Sequence, residues 1–211
     1  MTKGRLIIVS APSGAGKTSL VGALLTQDET LVVSVSHTTR AKRPKESEGV
    51  DYYFVDPRTF ATMVDDGAFL EHAEVFGHRY GTSRHAVAEE LARGHDVVLE
   101  IDWQGARMIR AEFPDTYDIF ILPPSLTELA ARLKARGEDD PDVISRRMNE
   151  AKKEMSHYDD YANLVVNDDF DQALSQMAAI VVAARCGKRL PRREMKTLLA
   201  ELLSETSAPS T

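Results

Sequence analysis

The sequence predicts an α/β fold in which a mostly parallel sheet is flanked by helices, and three observations support this. Short apolar segments alternate with segments of helical periodicity, as in strands joined by crossover helices. The first apolar segment, residues 6–9, runs directly into a glycine-containing loop and then a helix. Two segments, from Thr38 to Gly94 and from Arg132 to about Lys153, interrupt the alternation and are expected to be insertions in the α/β core.

The first core elements are a strand at Leu6–Ser10 and a helix at Lys17–Gln27, whose leucines recur at helical spacing. Further core strands are predicted from apolar runs at Leu31–Ser36, Val97–Ile101, Tyr117–Leu122 and Leu164–Val166. Helices are predicted at Trp103–Glu112, Leu126–Ala135, Pro141–Tyr158 and Phe170–Arg185.

Capping signals place several helix starts. The spacing from Ser125 to Glu128 is that of a capping box. Within the first insertion, helices are expected to open at Asp56-Pro57 and after Ser83. These signals predict helices inside both insertions.

With 211 residues, 43% hydrophobic and 28% charged, the chain has room for one folded domain with a proper core. No apolar run approaches the ~20 residues that span a bilayer, and no secretory signal pattern is present, so we expect a cytoplasmic protein without a membrane partner. The net charge of −7 disfavours a nucleic-acid partner, although a small anion needs only a local positive pocket.

Cysteine and histidine usage predicts no metal site of these residues. The single cysteine, Cys186, excludes an internal disulfide and multi-cysteine zinc sites. The six histidines show no metal-ligand spacing, and we interpret them as surface or packing residues.

The segment SAPSGAGKT, residues 10–18, is typical of a loop that cradles phosphate between a strand and a helix. Small residues let backbone N–H groups point at phosphate oxygens, Lys17 supplies a mobile positive charge, and the Thr18 hydroxyl can ligate Mg²⁺. Nucleotide binding is therefore the leading hypothesis.

The loop departs from the common pattern G-x-x-x-x-G-K-[ST], because Ala11 replaces the first glycine. An alanine fits there only with a negative φ, so Gly14 and Gly16 are predicted to adopt the unusual dihedrals. The alternative interpretation is a glycine-containing turn that merely precedes a helix.

Two carboxylates, Glu100 and Asp102, lie where an apolar strand ends. Alternate residues of a strand share a face, and the carboxyl end of a parallel strand opens beside the phosphate loop. Both side chains could therefore orient Mg²⁺ through water or hold a substrate group. The alternative is a solvated strand end whose aspartate caps the next helix.

A short basic segment, residues 36–43, carries a hydroxyl and the guanidiniums of Arg40 and Arg43. Arginine suits phosphate because its planar donors bind two oxygens at once and its charge does not titrate away. Aromatic hydroxyls, a carboxylate and a glycine follow in residues 51–82, so an assembled site could hold one phosphate and one planar base. Taken alone, such a loop is also typical of solvated surface.

The second insertion is rich in arginine. Arg132 and Arg136 lie four residues apart, on one helix face, and Arg146-Arg147 follow an acidic turn. A mobile lid of this kind would neutralise charge on a transferring phosphoryl group when closed. An exposed helix with ion pairs is the alternative.

In this order the segments resemble the guanylate kinase family in its bacterial form, over roughly Arg5 to Gly187. The motifs that carry the resemblance are S-A-P-S-G-A-G-K-T, S-x-T-T-R-x-x-R, G-x-D-Y-x-F, F-L-E-x-A, R-Y-G-T, L-E-I-D-W-Q-G, R-L-x-x-R-G and V-x-N-D-D. The resemblance implies a P-loop nucleoside monophosphate kinase fold at residues 4–187, followed by a C-terminal helix and tail at 188–211. Its core would comprise residues 4–36, 95–125 and 159–187, with a GMP-binding insertion at 37–94 and a lid at 126–158.

The resemblance also implies a role for each matching residue. The ATP-binding set is Ala11, Pro12, Ser13, Gly14, Ala15, Gly16, Lys17, Thr18, Arg136, Asn167 and Asp168, the last two beside adenine. The GMP-binding set is Ser36, Arg40, Arg43, Tyr52, Glu71, Tyr80, Gly81, Thr82, Glu100 and Asp102. Thr18 and Asp102 would serve the metal, and the implied catalytic residues are Lys17, Arg40, Arg132, Arg136 and Arg147.

The implied reaction is ATP + GMP ⇌ ADP + GDP, with Mg²⁺ as cofactor, in purine nucleotide metabolism and GMP recycling. An ionised Glu71 could accept the N1–H and N2–H donors of guanine together, which adenine does not offer. ATP and GMP are the expected partners, dGMP is an expected further acceptor, and a homo-oligomer is left open.

Two other functions share parts of this pattern. A peptide-binding scaffold domain of the same type usually lacks an intact phosphate loop, whereas Gly16-Lys17-Thr18 is present here. A kinase of a phosphorylated sugar would share the loop and lid but would not need Glu71 together with the two tyrosines.

Overall fold

The strands and helices of this protein follow the predicted alternation. The computed structural model describes residues 4–75, 77–135 and 141–186. Its strands are β1 Leu6–Ser10, β2 Leu31–Val33, β3 His37–Thr38, β4 Tyr53–Phe54, β5 Phe69–Val75, β6 His78–Ser83, β7 Asp96–Glu100, β8 Tyr117–Leu122 and β9 Asn163–Val166. Its helices are α1 Lys17–Gln27, α2 Pro57–Asp65, α3 Arg84–Arg93, α4 Trp103–Glu112, α5 Leu126–Ala135, α6 Pro141–Met155 and α7 Phe170–Cys186, with a 3-10 helix at Tyr158–Asp160.

The main sheet is five-stranded and parallel, in the order β2-β7-β1-β8-β9. Alternate residues of β1 enter opposite cores: Ile7 packs with α1 and α7, and Ile8 packs with α3 and α4. A strand buried on both faces needs an unbroken apolar sequence, which is what residues 6–9 provide. The predicted parallel sheet flanked by helices is confirmed.

A second sheet of four short strands, in the order β4-β3-β6-β5, lies within residues 37–94. Its β5 and β6 form an antiparallel pair, with a register shift between Phe69 and Glu71. The stacked rings of Phe60 and Phe69 fix α2 against this sheet. The treatment of residues 37–94 as a separate insertion stays a prediction.

Two predicted elements end three residues earlier than expected. The strand predicted to reach Ser36 ends at Val33, although the Ser34 N–H still bonds to the Val98 carbonyl, and the chain then enters the second sheet at His37. The helix predicted to reach Tyr158 ends at Met155, and His157 then stacks on Trp103 with ring centroids 3.8 Å apart.

The capping predictions are confirmed. Asp56 accepts backbone N–H groups of the first turn of α2, and Ser83 does the same for α3. The Ser125 hydroxyl accepts the Glu128 N–H at the start of α5. Side-chain oxygens at these positions satisfy N–H groups that a helix leaves unpaired at its start.

Some predictions fall outside the described residues, namely Arg136, the acidic turn that follows it and the C-terminal segment 188–211. Within the described part of the chain, no helix has the length and apolar character needed to cross a membrane.

One buried charge network ties the end of α7 to the edge of the main sheet. The Arg185 guanidinium donates to Asp96 at 2.8 Å and to Thr30 at 2.9 Å, and it also pairs with Asp28. Asp96 is 4% exposed, and its other oxygen accepts the Arg5 backbone N–H at 2.7 Å. A carboxylate this deeply buried depends on such partners.

Replacing Arg185 by alanine should lower the free energy of unfolding by about 2–3 kcal/mol, because Asp96 then keeps only Arg5 as a charged partner. Urea unfolding measures the change. Arg93→Ala, which breaks exposed pairs on α3, is the matched control and should cost less than about 1 kcal/mol. Equal losses in the two variants would contradict the structural importance of the network.

Candidate active site

The phosphate loop joins β1 to α1 at the carboxyl edge of the main sheet. Gly14 has φ 92° and Gly16 has φ 97°, both in the left-handed region that favours glycine. The prediction drawn from Ala11 is therefore confirmed, because the unusual dihedrals fall on the two remaining glycines. Lys17, the first residue of α1, is half-buried.

Neighbouring elements pack closely on this loop. A Cβ on Gly14 would lie 2.9 Å from Leu129 and 3.0 Å from Leu133, so α5 rests directly on the loop. A Cβ on Gly16 would overlap the Asn167 amide, whose nitrogen donates to the Ala15 carbonyl at 2.8 Å. Both glycines thus meet steric as well as conformational demands.

The Asn167 side chain is buried and committed to the loop, while Asp168 is exposed. The predicted adenine contact of this pair stays a prediction. The structure shows a further role of Asn167, whose side chain holds the loop backbone in place at Ala15.

The end of β7 lies beside the loop, because Val9 of β1 pairs with Glu100 of β7. The Thr18 hydroxyl donates to a Glu100 carboxylate oxygen at 3.4 Å. Hydroxyl and carboxylate oxygens are the ligands that Mg²⁺ prefers, usually together with substrate phosphates. Among the described residues there is no cluster of three or more histidine, cysteine or acidic side chains that would hold a metal unaided.

Asp102 serves as the N-cap of α4. One carboxylate oxygen accepts the Gly105 N–H at 2.9 Å, and the other accepts the Gln104 amide at 3.0 Å. The alternative interpretation of the sequence, an aspartate that caps the next helix, is thus what the structure shows. Its predicted contact with metal and substrate stays a prediction.

Glu71 is a buried carboxylate on β5, 3% exposed, that accepts a hydrogen bond from the Thr82 hydroxyl at 2.5 Å. Burial raises the pKa of Glu71 to about 7. The Thr82 hydrogen bond and the charge of Lys17 oppose that increase in pKa, and the charge of Asp102 adds to it. The phosphate-loop lysine and this carboxylate therefore share one electrostatic environment.

Arg40 and Tyr52, in the loop between β3 and β4, lie together with Tyr80 on β6 of the second sheet. The Arg40 guanidinium carbon is 5.3 Å from the centre of the Tyr52 ring, and the two tyrosine rings are 5.9 Å apart. The two terminal guanidinium nitrogens of Arg40 each donate to one carboxylate oxygen of Glu46, at 3.0 and 2.7 Å. Hydrogen bonds with Glu46, and then with Tyr80, raise the Arg40 pKa.

Burial raises the pKa of Tyr52, and the nearby Tyr80 and Glu100 add to the effect. Glu100 also contacts Thr18. Glu100 therefore lies between the phosphate loop and the arginine–tyrosine cluster, and the assembly of the two groups into one site stays a prediction.

The remaining residues predicted to bind GMP differ in their exposure and in their contacts. Ser36 is half-buried, and its carbonyl accepts the Tyr53 N–H at 2.9 Å. The Arg43 side chain is exposed, while its backbone N–H donates to Glu46 at 2.8 Å. Gly81 makes room for the Phe69 ring, which would lie 2.9 Å from a Cβ there. Gly81 therefore has a packing role besides any contact with substrate.

Two arginines of the second insertion reach the phosphate-loop side of the cleft. Arg147 of α6 donates to the Ser13 hydroxyl at 3.1 Å. Arg132 of α5 donates to the Asn167 carbonyl at 3.0 Å and to Glu128 at 2.8 Å. Two cations thus lie beside the phosphate loop, and their predicted contact with phosphate stays a prediction.

The sequence analysis missed two carboxylates, Glu46 and Glu154. Burial raises the pKa of Glu154 on α6 to about 7, and the charge of Lys17 and the Ser13 backbone oppose that increase in pKa. The separation of seven residues between Glu154 and Arg147 places both on one helix face, which is a signal that the sequence did contain. Glu46 gave no such signal, because it meets Arg40 only when an irregular loop closes on itself.

Comparison with known proteins agrees with this geometry. A family model described as guanylate kinase matches residues 3–184. The guanylate kinase of Alkalilimnicola ehrlichii is 58% identical over 202 residues, which is 96% of this chain and 98% of that protein. That of Vibrio cholerae is 52% identical over 207 residues, 97% of this chain and 100% of that protein.

A crystal structure of guanylate kinase from Anaplasma phagocytophilum superposes with a TM-score of 0.77 at 33% identity, covering 95% of this chain and 96% of that one. The fold is thus the α/β fold of the P-loop nucleoside monophosphate kinases. The full-length match, the phosphate loop and the arginine–tyrosine cluster together show that this chain is a kinase that belongs to the guanylate kinase family.

Proposed function

We propose that this chain transfers the terminal phosphoryl group of ATP to GMP in a Mg²⁺-dependent reaction, and that it also accepts dGMP. This activity would serve purine nucleotide metabolism and GMP recycling. The observation that carries the proposal is Glu71, a buried carboxylate within the electrostatic influence of Lys17. A phosphate-binding cation and a carboxylate suited to guanine would then belong to one site.

On the ATP side, loop N–H groups and Lys17 bind phosphate oxygens. Thr18 and Glu100 present the oxygens that would hold Mg²⁺, and Asp102 is a further proposed contact. When bound, the metal neutralises charge on the phosphates. Asn167, Asp168 and Arg136 are proposed to complete the ATP site.

On the acceptor side, Arg40 would exchange Glu46 for the GMP phosphate, because a guanidinium binds two oxygens of either group in the same way. Arg43, Tyr52 and Tyr80 are proposed to bind the same phosphate. Glu71 would accept the two guanine donors, with Thr82 fixing the orientation of its carboxylate. Ser36 and Glu100 would bind the remaining base edge.

No general base is needed, since the second pKa of a phosphate monoester is about 6 and the attacking group is largely dianionic at neutral pH. The protein must instead align two polyanions and offset their charge. Lys17, Arg132 and Arg147 would do so at the transferring phosphoryl group. Closure of the segments 37–94 and 126–158 would exclude water and limit ATP hydrolysis.

A coupled assay of ADP formation tests the proposed function directly. GMP should be preferred over AMP by on the order of 10⁴ in kcat/KM, with dGMP also used, a sugar phosphate inactive and activity lost in EDTA. Lys17→Met should lose on the order of 10²-fold or more in kcat. Preference for AMP or a sugar phosphate would contradict the proposal.

Glu71→Gln should lower kcat/KM for GMP by on the order of 10²-fold, because an amide cannot accept both guanine donors and presents a donor of its own. The KM for ATP should change less than about twofold, since the substitution removes no proposed contact with ATP. Steady-state kinetics with each substrate varied in turn measures both. Glu89→Gln, at an exposed carboxylate on α3, is the control and should leave both constants unchanged.

The raised pKa of Glu71 predicts a pH dependence. A carboxyl group with a pKa of about 7 loses its ionised form as pH falls below 7, and only that form accepts both guanine donors. The kcat/KM for GMP should therefore fall between pH 8 and pH 6 in the parent protein, by up to about tenfold.

In Glu71→Gln the titration of Glu71 should be absent, while those of the GMP phosphate, with a pKa of about 6, and of Glu154, with a pKa of about 7, remain. Profiles of kcat/KM against pH in both proteins isolate the contribution of Glu71. Profiles of the same shape would assign the pH dependence to a group other than Glu71.

A further inference from the structure

The helix α4 carries a glycine, Gly105, at its third residue. Glycine is among the poorest helix formers, and alanine the best. The backbone does not require it, because the glycines with positive φ among the described residues do not include Gly105. Its N–H is an ordinary first-turn donor to the Asp102 cap. The missing side chain therefore needs a reason outside the helix.

That reason is the Glu71 carboxylate. A Cβ on Gly105 would lie 2.5 Å from one Glu71 carboxylate oxygen and 3.0 Å from the carboxyl carbon. Such distances are well inside ordinary contact, so an alanine could be accepted only if the carboxylate moved. The other Glu71 oxygen is held by Thr82, and the side chain is 3% exposed, which leaves it few other positions.

We propose that Gly105 is a specificity-determining positioning residue, whose missing side chain sets where the Glu71 carboxylate stands when it meets the acceptor base. The inference rests on the proposed function of Glu71. Three groups then define the carboxylate: its own strand β5, the Thr82 hydroxyl on one oxygen, and the surface of α4 at the other.

The geometry is sensitive to small shifts. Restoring contact distance between the added methyl group and the carboxylate requires a movement of roughly 1 Å, and a misplacement of about that size costs on the order of 10²-fold in rate. Hydrogen bonds to the base would lengthen beyond their usual range of about 2.7–3.2 Å. Only the kinetic constants for GMP should change, because the atoms nearest to a Cβ on Gly105 belong to Glu71 and Ile101 and not to the phosphate loop.

Gly105→Ala tests the proposal by kinetics. The kcat/KM for GMP should fall about 10- to 100-fold, mostly through KM, with the KM for ATP within about twofold of the parent value. Gly22→Ala is the matched control, because Gly22 also lies inside a helix, α1, and a Cβ there would meet nothing within 4 Å. It should leave both kinetic constants unchanged and raise the urea midpoint.

A double variant separates the steric argument from folding. Gly105→Ala should lower the urea midpoint in the parent protein but not in a Glu71→Ala background, because shortening Glu71 removes the clash and leaves the better helix former. This comparison remains informative if the single variant folds poorly. An unchanged effect of Gly105→Ala in the absence of the Glu71 carboxylate would overturn the proposal.

The kinetic outcomes distinguish this inference from the proposed function. If Glu71→Gln loses GMP activity and Gly105→Ala does not, the positioning role is overturned and the guanine role of Glu71 stands. If neither variant loses GMP activity, the proposed function of Glu71 fails, and the positioning role fails with it. Loss in both, with no further loss when they are combined, supports the proposal.

Discussion

The charge balance around the cleft is the constraint on which the rest of this site depends. Lys17 acts on Glu71 and Glu154, both of which have a pKa raised to about 7 by burial. Arg40 is paired with Glu46, and Arg132 and Arg147 donate to oxygens beside the phosphate loop. Charged groups that leave water need partners of this kind, and Arg40, Arg132 and Arg147 are each held in place by an oxygen of the chain itself.

That balance suits a site that binds phosphates. A guanidinium group held by a carboxylate can exchange it for phosphate oxygens without crossing the cleft. Glu46 therefore positions Arg40, and it also adds to the free-energy cost that a bound phosphate must exceed. For a kinase of the guanylate kinase family, whose substrates are both polyanions, this arrangement limits the mutual repulsion of the cations.

Steric constraints position the same groups as firmly as charge does. Gly14 and Gly16 let α5 and Asn167 pack on the phosphate loop, and Gly81 lets Phe69 pack under β6. The Asp102 carboxylate caps α4, and this cap fixes the first turn of that helix against Glu71. Structural and functional uses of these residues are therefore difficult to separate, and a substitution at any of them should be assessed for both.

The sequence by itself determined the α/β alternation, the phosphate loop with its two glycines of positive φ, and the helix starts at Asp56, Ser83 and Ser125. These features are local, because apolar periodicity, capping chemistry and the dihedral freedom of glycine act within a few residues. The tertiary structure alone decided that β2 stops at Val33, that Glu46 closes on Arg40 and that Glu71 is buried against Gly105. Each of these features depends on contacts between residues whose proximity no local sequence pattern encodes. Burial, which sets the Glu71 pKa, is likewise a property of the packed fold.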